Sequence, residues 1–232
     1  VAVAGACDKV IDKAKLIAAH QLECSADDLE FAGGIFSVKG SPDRAVPIAA
    51  LAFAAFTAHN LPDGLEPNLE AQYTYDPPNF SWPFGTHMAI VEIDVETGKI
   101  EVLKYVAVDD CGVQINPLIV EGQVHGGVIQ GLAQALFEEA VYDEDGNLKT
   151  TTLAEYLVPA ACDVPSITTA HTVTPSPTNQ LGVKGIGEAG TIGAAPTIIN
   201  AIIDALSSLG VKHMPMPASP QTVWRAIQSA KK

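Results

Sequence analysis

Val3, Cys7, Val10, Ile11, Ala14, Ile17 and Ala18 recur at helical spacing, with Asp8, Asp12, Lys13 and Lys15 between them. That pattern puts the apolar side chains on one stripe and predicts an amphipathic helix over residues 2–22. The period then shortens. LEFAGGIFSVKG carries two apolar runs joined by Gly33-Gly34, a pair suited to the positive φ of a tight turn, and reads as a hairpin. Residues 47–59 return to helix. In HMAIVEIDVETGKIEVLKYVAV, His87, Ala89, Val91, Ile93 and Val95 alternate strictly, Thr97-Gly98 turns the chain, and Ile100, Val102 and Lys104 follow, which predicts a second hairpin. Asn116-Pro117 supplies a cap and a first-turn proline for a helix running to about Glu139. EDGN is a turn, SITTAHTV is a further apolar run, and the last helices are predicted over 196–209 and 220–230.

Between the first helices and the second hairpin, residues 60–86 mix prolines and aromatics without a period. The stretch is too apolar for a free linker and too broken for an element, so it is expected to form an ordered covering loop, with its aromatics packed on a neighbour or bordering a ligand channel. Strands and helices mix without regular β-α-β alternation or internal repeat. The expected class is α+β, with mixed helices and antiparallel hairpins, and 60–86 is where two subdomains would join.

Composition narrows the partners. A chain of 232 residues that is 47% hydrophobic can bury a core, and 27 acidic against 13 basic side chains give a net charge of −14. Such a charge repels phosphate backbones and anionic membranes, so neither nucleic acid nor a membrane surface is expected. The longest low-polarity run noted, residues 45–56, falls short of the roughly 20 residues of a bilayer span. Without a basic-then-apolar leader a cytoplasmic setting is the expectation. Cys7, Cys24, Cys111 and Cys162 are scattered without a C-x-x-C pair, which points to buried thiols and to no metal site built by this chain. The opening VAVAGACDKV begins within helical periodicity and without Met, as expected of a fragment of a longer chain.

Two glycine-rich stretches carry the candidate chemistry. VEGQVHGGVIQGLAQALFEE places Gly122, Gly126, Gly127 and Gly131 in a helix, each at a cost of about 1 kcal/mol relative to Ala. Gln123, Gly127, Gln130 and Gln134 share one stripe opposite Val124, Val128, Leu132 and Ala135. The smooth, amide-rich face suits either a bulky polar ligand or close helix packing. His125 reads as a packed or supporting histidine. Farther on, GVKGIGEAGTIGAA surrounds one acid, Glu188, with five glycines just before an apolar helix. Glycines there bring backbone amides close to a ligand, and a helix N-terminus binds anions. Glu188 can accept a proton from a nearby nucleophile, or merely complement the helix dipole. GIGEAG also matches the dinucleotide fingerprint, but two prolines precede it where a strand is required, and Asp204, at the spacing of the acidic partner, lies in a helix.

Together GVKGIGEAGTIGAAPTIINAIIDAL and EGQVHGGVIQGLAQALFEE resemble the catalytic-glutamate segment and the cofactor-contacting helix of the molybdenum hydroxylases of the xanthine oxidase family. TPSPTNQLG, MPASPQTVWRAIQ and YDPPNFSWPFGTHMAIVEID are also similar to aerobic carbon monoxide dehydrogenase-like large subunits. The resemblance implies that residues 1–232 are the C-terminal molybdenum cofactor-binding region of a larger subunit, with an α+β fold. It implies molybdopterin, in bacterial members usually the cytosine dinucleotide form, and carbon oxidation using oxygen from water. By position, Glu188 would be the base that deprotonates the metal-bound hydroxyl. Gln123, with Gly126 and Gly127 on the same helix, would contact the pterin, and the backbone of Lys184, Gly185, Ile186 and Gly187 would line the cofactor. The metal would be held through the pterin, with no protein ligand here. The N-terminal remainder of the subunit would supply the other walls, iron–sulfur and FAD groups would sit on partner subunits, and the chain alone would be inactive. In carbon monoxide dehydrogenases a copper-binding cysteine lies in that N-terminal part, and no cysteine here stands in a matching context.

Two rival readings differ in class. One is a nicotinamide or flavin oxidoreductase using GIGEAG, which requires a strand running into Gly185. The other is a noncatalytic assembly module in which the glycine helix is a docking face.

Overall fold

The computed structural model describes residues 1–230. The chain divides into two compact units, residues 1–77 and 78–232, parting inside the proline-rich stretch.

In the first unit, helix α1 (Ala2–Gln21) and helix α2 (Ile48–Thr57) accompany an antiparallel sheet of β1 (Leu29–Ala32), β2 (Ile35–Val38) and β3 (Ser41–Pro47). Gly33 and Gly34, at φ of 57° and 81°, make the turn between β1 and β2. Strand β3 is not signalled in the sequence. SPDRAVP is mostly exposed and pairs only at a sheet edge, where a proline and charges are tolerated. Ile17, Phe36 and Leu51 are fully buried at the centre of this unit, and Leu61, Leu65 and Leu69 of the following loop pack against the same core. Tyr73 lies on α1 where Gly5 leaves room: a Cβ there would come within 2.6 Å of the ring. The aromatics of residues 60–86 therefore divide, for Phe80 and Trp82 stay 77% and 73% exposed and touch each other instead.

The second unit is built on β4 (Phe84–Ile93), β5 (Ile100–Asp110) and β6 (Ile167–Thr172), in that order across the sheet. Asp94 Oδ1 accepts the N–H groups of Glu96 and Thr97, and Gly98 at φ 76° completes the turn between β4 and β5. Strands β5 and β6 run parallel, so the sheet is not made of antiparallel hairpins alone. A parallel neighbour needs a long crossover, and residues 111–166 provide it, including α3 (Pro117–Leu136) and the single turn α4 (Leu153–Tyr156). Asn116 caps α3 by accepting the Ile119 N–H, with Pro117 in the first turn.

Helix α5 (Ala189–Leu206) starts one and a half turns or more before the predicted 196, leaving Pro196 in its interior. An interior proline costs about 3 kcal/mol. Packing of Gly190 and Ala194 on α3 offsets that cost and recruits the extra turns. By length and composition residues 189–209 are apolar enough to cross a bilayer, a candidate the 45–56 run concealed. Their Ala194, Ile198, Ile202 and Leu206 are instead buried against Tyr105, Val128 and Leu132, and α6 (Pro220–Ala230) adds Val223 and Ile227 to the same core.

Candidate functional site

Helices α3 and α5 meet through glycine. A Cβ on Gly190 would stand 2.7 Å from the Val124 carbonyl oxygen, and one on Gly131 would stand 2.7 Å from Ala194 Cβ. Gly127 lies in the same seam, where its Cβ would come within 3.0 Å of Gly190 Cα, and the Thr191 hydroxyl donates to the Gly127 carbonyl at 3.0 Å. Gly127 is thus buried and used for helix contact, and it does not share the exposed stripe of Gln123, Gln130 and Gln134. Gly122 and Gly126 differ: both are exposed, and no atom lies within 4 Å of a Cβ at either. Close helix packing accounts for Gly127 and Gly131 and leaves Gly122 and Gly126 bare.

The seam also sets where the acid-bearing loop lies. The nearest atom to a Cβ on Gly187 would be Gln123 Oε1, at 3.7 Å, so the first amide of the exposed stripe and the loop one residue before Glu188 border the same surface. Glu188 is exposed at the N-cap of α5 and makes no capping bond with its side chain, which leaves the carboxylate facing outward.

Upstream, the loop is fastened to the end of β5. Gly112 and Val183 form an isolated antiparallel bridge, the Lys184 N–H donates to the Cys111 carbonyl at 2.8 Å, and Asn179 brackets Val183 with two hydrogen bonds. Lys184 Nζ reaches Asp110 Oδ1 at 3.0 Å and sits 4.4 Å from the centre of the Phe84 ring. Asp110 is fully buried. Desolvation alone would push its carboxyl up, but the Gly112 N–H, the Lys184 ammonium and the Thr174 and Thr172 hydroxyls together hold it well below the usual carboxylate range.

Beyond Lys184 the bonding stops. Among the described residues the N–H groups of Gly185, Ile186, Gly187 and Glu188 donate to no other residue, and no atom lies within 4 Å of a Cβ on Gly185. A run of unused amides on bare backbone, beside a glutamine, fits a ligand rich in hydrogen-bond acceptors, such as a pterin or a phosphate. Lys184, expected to lend its backbone to that lining, spends its amide on the sheet. The surface is an open strip. Among the described residues no group of three His, Cys, Asp or Glu side chains stands close enough to hold a metal ion. The strand that a nicotinamide or flavin fingerprint requires before Gly185 is missing as well, since β6 ends at Thr172 and Asp204 lies on α5.

Sequence reasoning overlooked two buried polar groups in this unit. Asp110 is one; the signal for it was the pair of acids closing an otherwise apolar strand. The other is a chain of three side chains, in which the Tyr105 hydroxyl lies 2.8 Å from His87 Nδ1 and His87 Nε2 lies 3.3 Å from the Asp109 carboxylate. Burial pushes the Tyr105 phenol up to about 12; the Thr197 hydroxyl opposes that shift and the Asp109 charge adds to it. His87 and Asp109 line a separate cavity of about 340 Å³ with Phe84, Gly85, Ile192 and Asn200.

The family described as "Molybdopterin cofactor-binding domain" matches residues 1–165, ending short of the Glu188 loop. The large chain of carbon monoxide dehydrogenase from Hydrogenophaga pseudoflava is 43% identical over 227 residues, 98% of this chain and 28% of that one. The nicotine 6-hydroxylase large subunit of Paenarthrobacter nicotinovorans is 42% identical over 213 residues, 91% of this chain and 26% of its own length. The solved carbon monoxide dehydrogenase from Oligotropha carboxidovorans superposes with a TM-score of 0.90 at 40% identity, covering 98% of this chain and 28% of the other. The chain therefore spans little more than a quarter of the relatives it matches.

Proposed function

The chain belongs to the molybdopterin cofactor-binding family of the xanthine oxidase group, as part of a carbon monoxide dehydrogenase-like large subunit, and on that premise we propose that the strip between Gln123 and Glu188 is where cofactor and chemistry meet. The observation that carries this reading is the approach of Gln123 to Gly187, which puts an amide donor and acceptor beside four unused backbone N–H groups and an outward-facing carboxylate.

Gln123 and the amides of Gly185, Ile186 and Gly187 hold the pterin by hydrogen bonds, and exposed Gly126 lets it approach the helix backbone. The acceptor-rich cytosine dinucleotide form suits so many donors. When bound, molybdopterin would supply a two-electron redox metal able to acidify a water-derived nucleophile. Glu188 would hold the proton that this nucleophile gives up. Its place at a helix start, outside any capping bond, leaves both carboxylate oxygens available for the transfer.

The remainder of the large subunit supplies the facing walls, so the chain alone is inactive. Iron–sulfur and flavin groups on partner subunits carry the electrons away. Near-equal likeness to a carbon monoxide enzyme and a nicotine enzyme does not separate those substrates, and the reading commits to what they share, oxidation of a small carbon substrate with oxygen from water. All four cysteines are free, in keeping with a cytoplasmic enzyme, but only Cys111 is the buried thiol the sequence led one to expect; Cys7 and Cys162 are exposed.

The test is Glu188→Gln in the complete enzyme. Loss of a required proton acceptor lowers kcat/KM by about 100- to 10,000-fold at unchanged molybdenum content. Turnover near wild type would overturn the assignment and favour the assembly-module rival.

A further inference from the structure

The pair Asp110 and Lys184 takes no part in the chemistry proposed above, yet both of its charged groups are enclosed. Asp110 is 0% and the Lys184 side chain 7% exposed, and their charged atoms are 3.0 Å apart. Asp110 has further donors on both oxygens: the Gly112 N–H reaches Oδ1 at 2.9 Å and the Thr172 hydroxyl reaches Oδ2 at 2.9 Å. Burying such a pair carries a desolvation cost that apolar residues of equal size would avoid, so stability alone does not account for it. What it adds is register.

Lys184 is the last residue of the loop whose amide is bound to the sheet, and Glu188 follows four residues later, where α5 begins. Between them the backbone makes one weak internal bond, from the Ala189 N–H to the Ile186 carbonyl at 3.3 Å. Ile186 packs against the core between them, but the loop is fastened by polar and backbone contacts at its two ends, at Lys184 and at the glycine seam of Gly190.

We propose that Asp110 and Lys184 form a charge clasp that positions Glu188, fixing the loop against the end of β5 so that the acid and Gln123 face one ligand. The proposal rests on the reading of Glu188 as proton acceptor. Asp110 touches neither the open strip nor Glu188 and acts through Lys184. Two details favour a fixed register over general adhesion. A Cβ on Gly112 would meet the Gly182 carbonyl oxygen at 2.1 Å, so the two segments approach too closely there to admit a side chain. The Lys184 ammonium is confined on a further side by the Phe84 ring, which leaves it a single acceptor carboxylate. The depressed carboxyl of Asp110 agrees with a site arranged for the charged form.

The experiment compares Asp110→Asn, Lys184→Met, the double variant and Lys184→Arg in the complete enzyme, with Glu188→Gln alongside. Amide hydrogen exchange across residues 183–189 and the split between kcat and KM are the readouts, each normalised to bound molybdenum. Opening the clasp speeds exchange across that segment by about tenfold or more. Misplacing the acid lowers kcat by about 100-fold, with KM inside about twofold. Because the two residues act as one device, the double variant is no slower than the worse single, and Lys184→Arg, which keeps the charge, recovers most of kcat. Should Asp110→Asn fail to fold, Lys184→Met and Lys184→Arg carry the comparison. Exchange that speeds while kcat per molybdenum stays at wild type would overturn the proposal, as would a fall in kcat with exchange unchanged. If Glu188→Gln retains full turnover, the functional reading falls on that result alone, and the hydrogen-exchange arm still reports whether the clasp holds the loop.

Discussion

Alanine at two glycines one turn and a half apart on α3 should move stability in opposite directions. At Gly126, where no atom lies within 4 Å of the new methyl, the substitution meets nothing and recovers the helix propensity that glycine forfeits, about 1 kcal/mol. At Gly131 the same gain is available, but the methyl would lie 2.7 Å from Ala194 Cβ and 2.8 Å from the Thr191 carbonyl oxygen. Ordinary contact begins near 3.4 Å, so α3 and α5 must part by about 0.7 Å. A gap of that size forfeits a quarter to a half of the local dispersion energy along Val128, Leu132 and Ile198. Overpacking of this kind costs about 1–3 kcal/mol, which leaves Gly131→Ala worse than wild type by up to about 2 kcal/mol. For a unit of this size each kcal/mol moves Tm by about 2–4 °C. Thermal unfolding followed by circular dichroism, with urea titration for ΔG, should place Gly126→Ala about 2–4 °C above wild type and Gly131→Ala clearly below it. If Gly131→Ala were as stable as Gly126→Ala, the two helices would not be in backbone contact and the account of the seam would be wrong.

Three further outcomes follow from the site and its surroundings. In the complete enzyme Gly126→Ala puts a methyl on the face assigned to the pterin, so molybdenum content per chain should fall even as the fold is stabilised; unchanged content would take Gly126 out of the cofactor surface. The carboxyl of Asp110 is depressed in the folded state, so its contribution is complete above the unfolded value near pH 4 and is lost as pH falls below it. Acid unfolding should accordingly be less steep for Asp110→Asn below about pH 4, and parallel curves would refute the pairing. The Tyr105 phenol is raised to about 12, so the stability tied to its neutral form is complete below its ordinary value near 10 and is lost as pH rises through 12. Ultraviolet titration should show a late tyrosine step near pH 12, and Tyr105→Phe should abolish it.

What the chain reveals before folding depends on whether the cause is local. The hairpin of β4 and β5 was legible because alternation survives along both strands and Thr97-Gly98 marks the turn. Helix α3 was legible for the same kind of reason, through its period and the Asn116 cap. Gly126 and Gly127 could not be told apart. They are adjacent, identical and equally permissive, and only the arrival of Gly190 on one side makes the second a contact and leaves the first bare. The start of α5 was misplaced at Pro196 because local rules put proline in a first turn, whereas packing on α3 extends the helix back to Ala189. The parallel pairing of β6 and the partner of Lys184 are likewise long-range facts: Asp110 lies 74 residues away in sequence. The sequence singles out Gln123 and the Gly185 to Glu188 run, and the structure brings Gln123 beside Gly187; how those residues are held is not legible locally.

Main chain meets main chain where Gly127 of α3 faces Gly190 of α5, so backbone spaces the helix that carries Gln123 from the helix that starts after Glu188. The interval between them is gauged by peptide units of fixed thickness and is insensitive to the shapes of the side chains packed below. Exchanges among Val128, Leu132 and Ile198 can therefore alter melting behaviour while the workspace above keeps its dimensions. On the proposed reading of the strip, tuning for temperature and tuning for substrate fall to different parts of the same small unit.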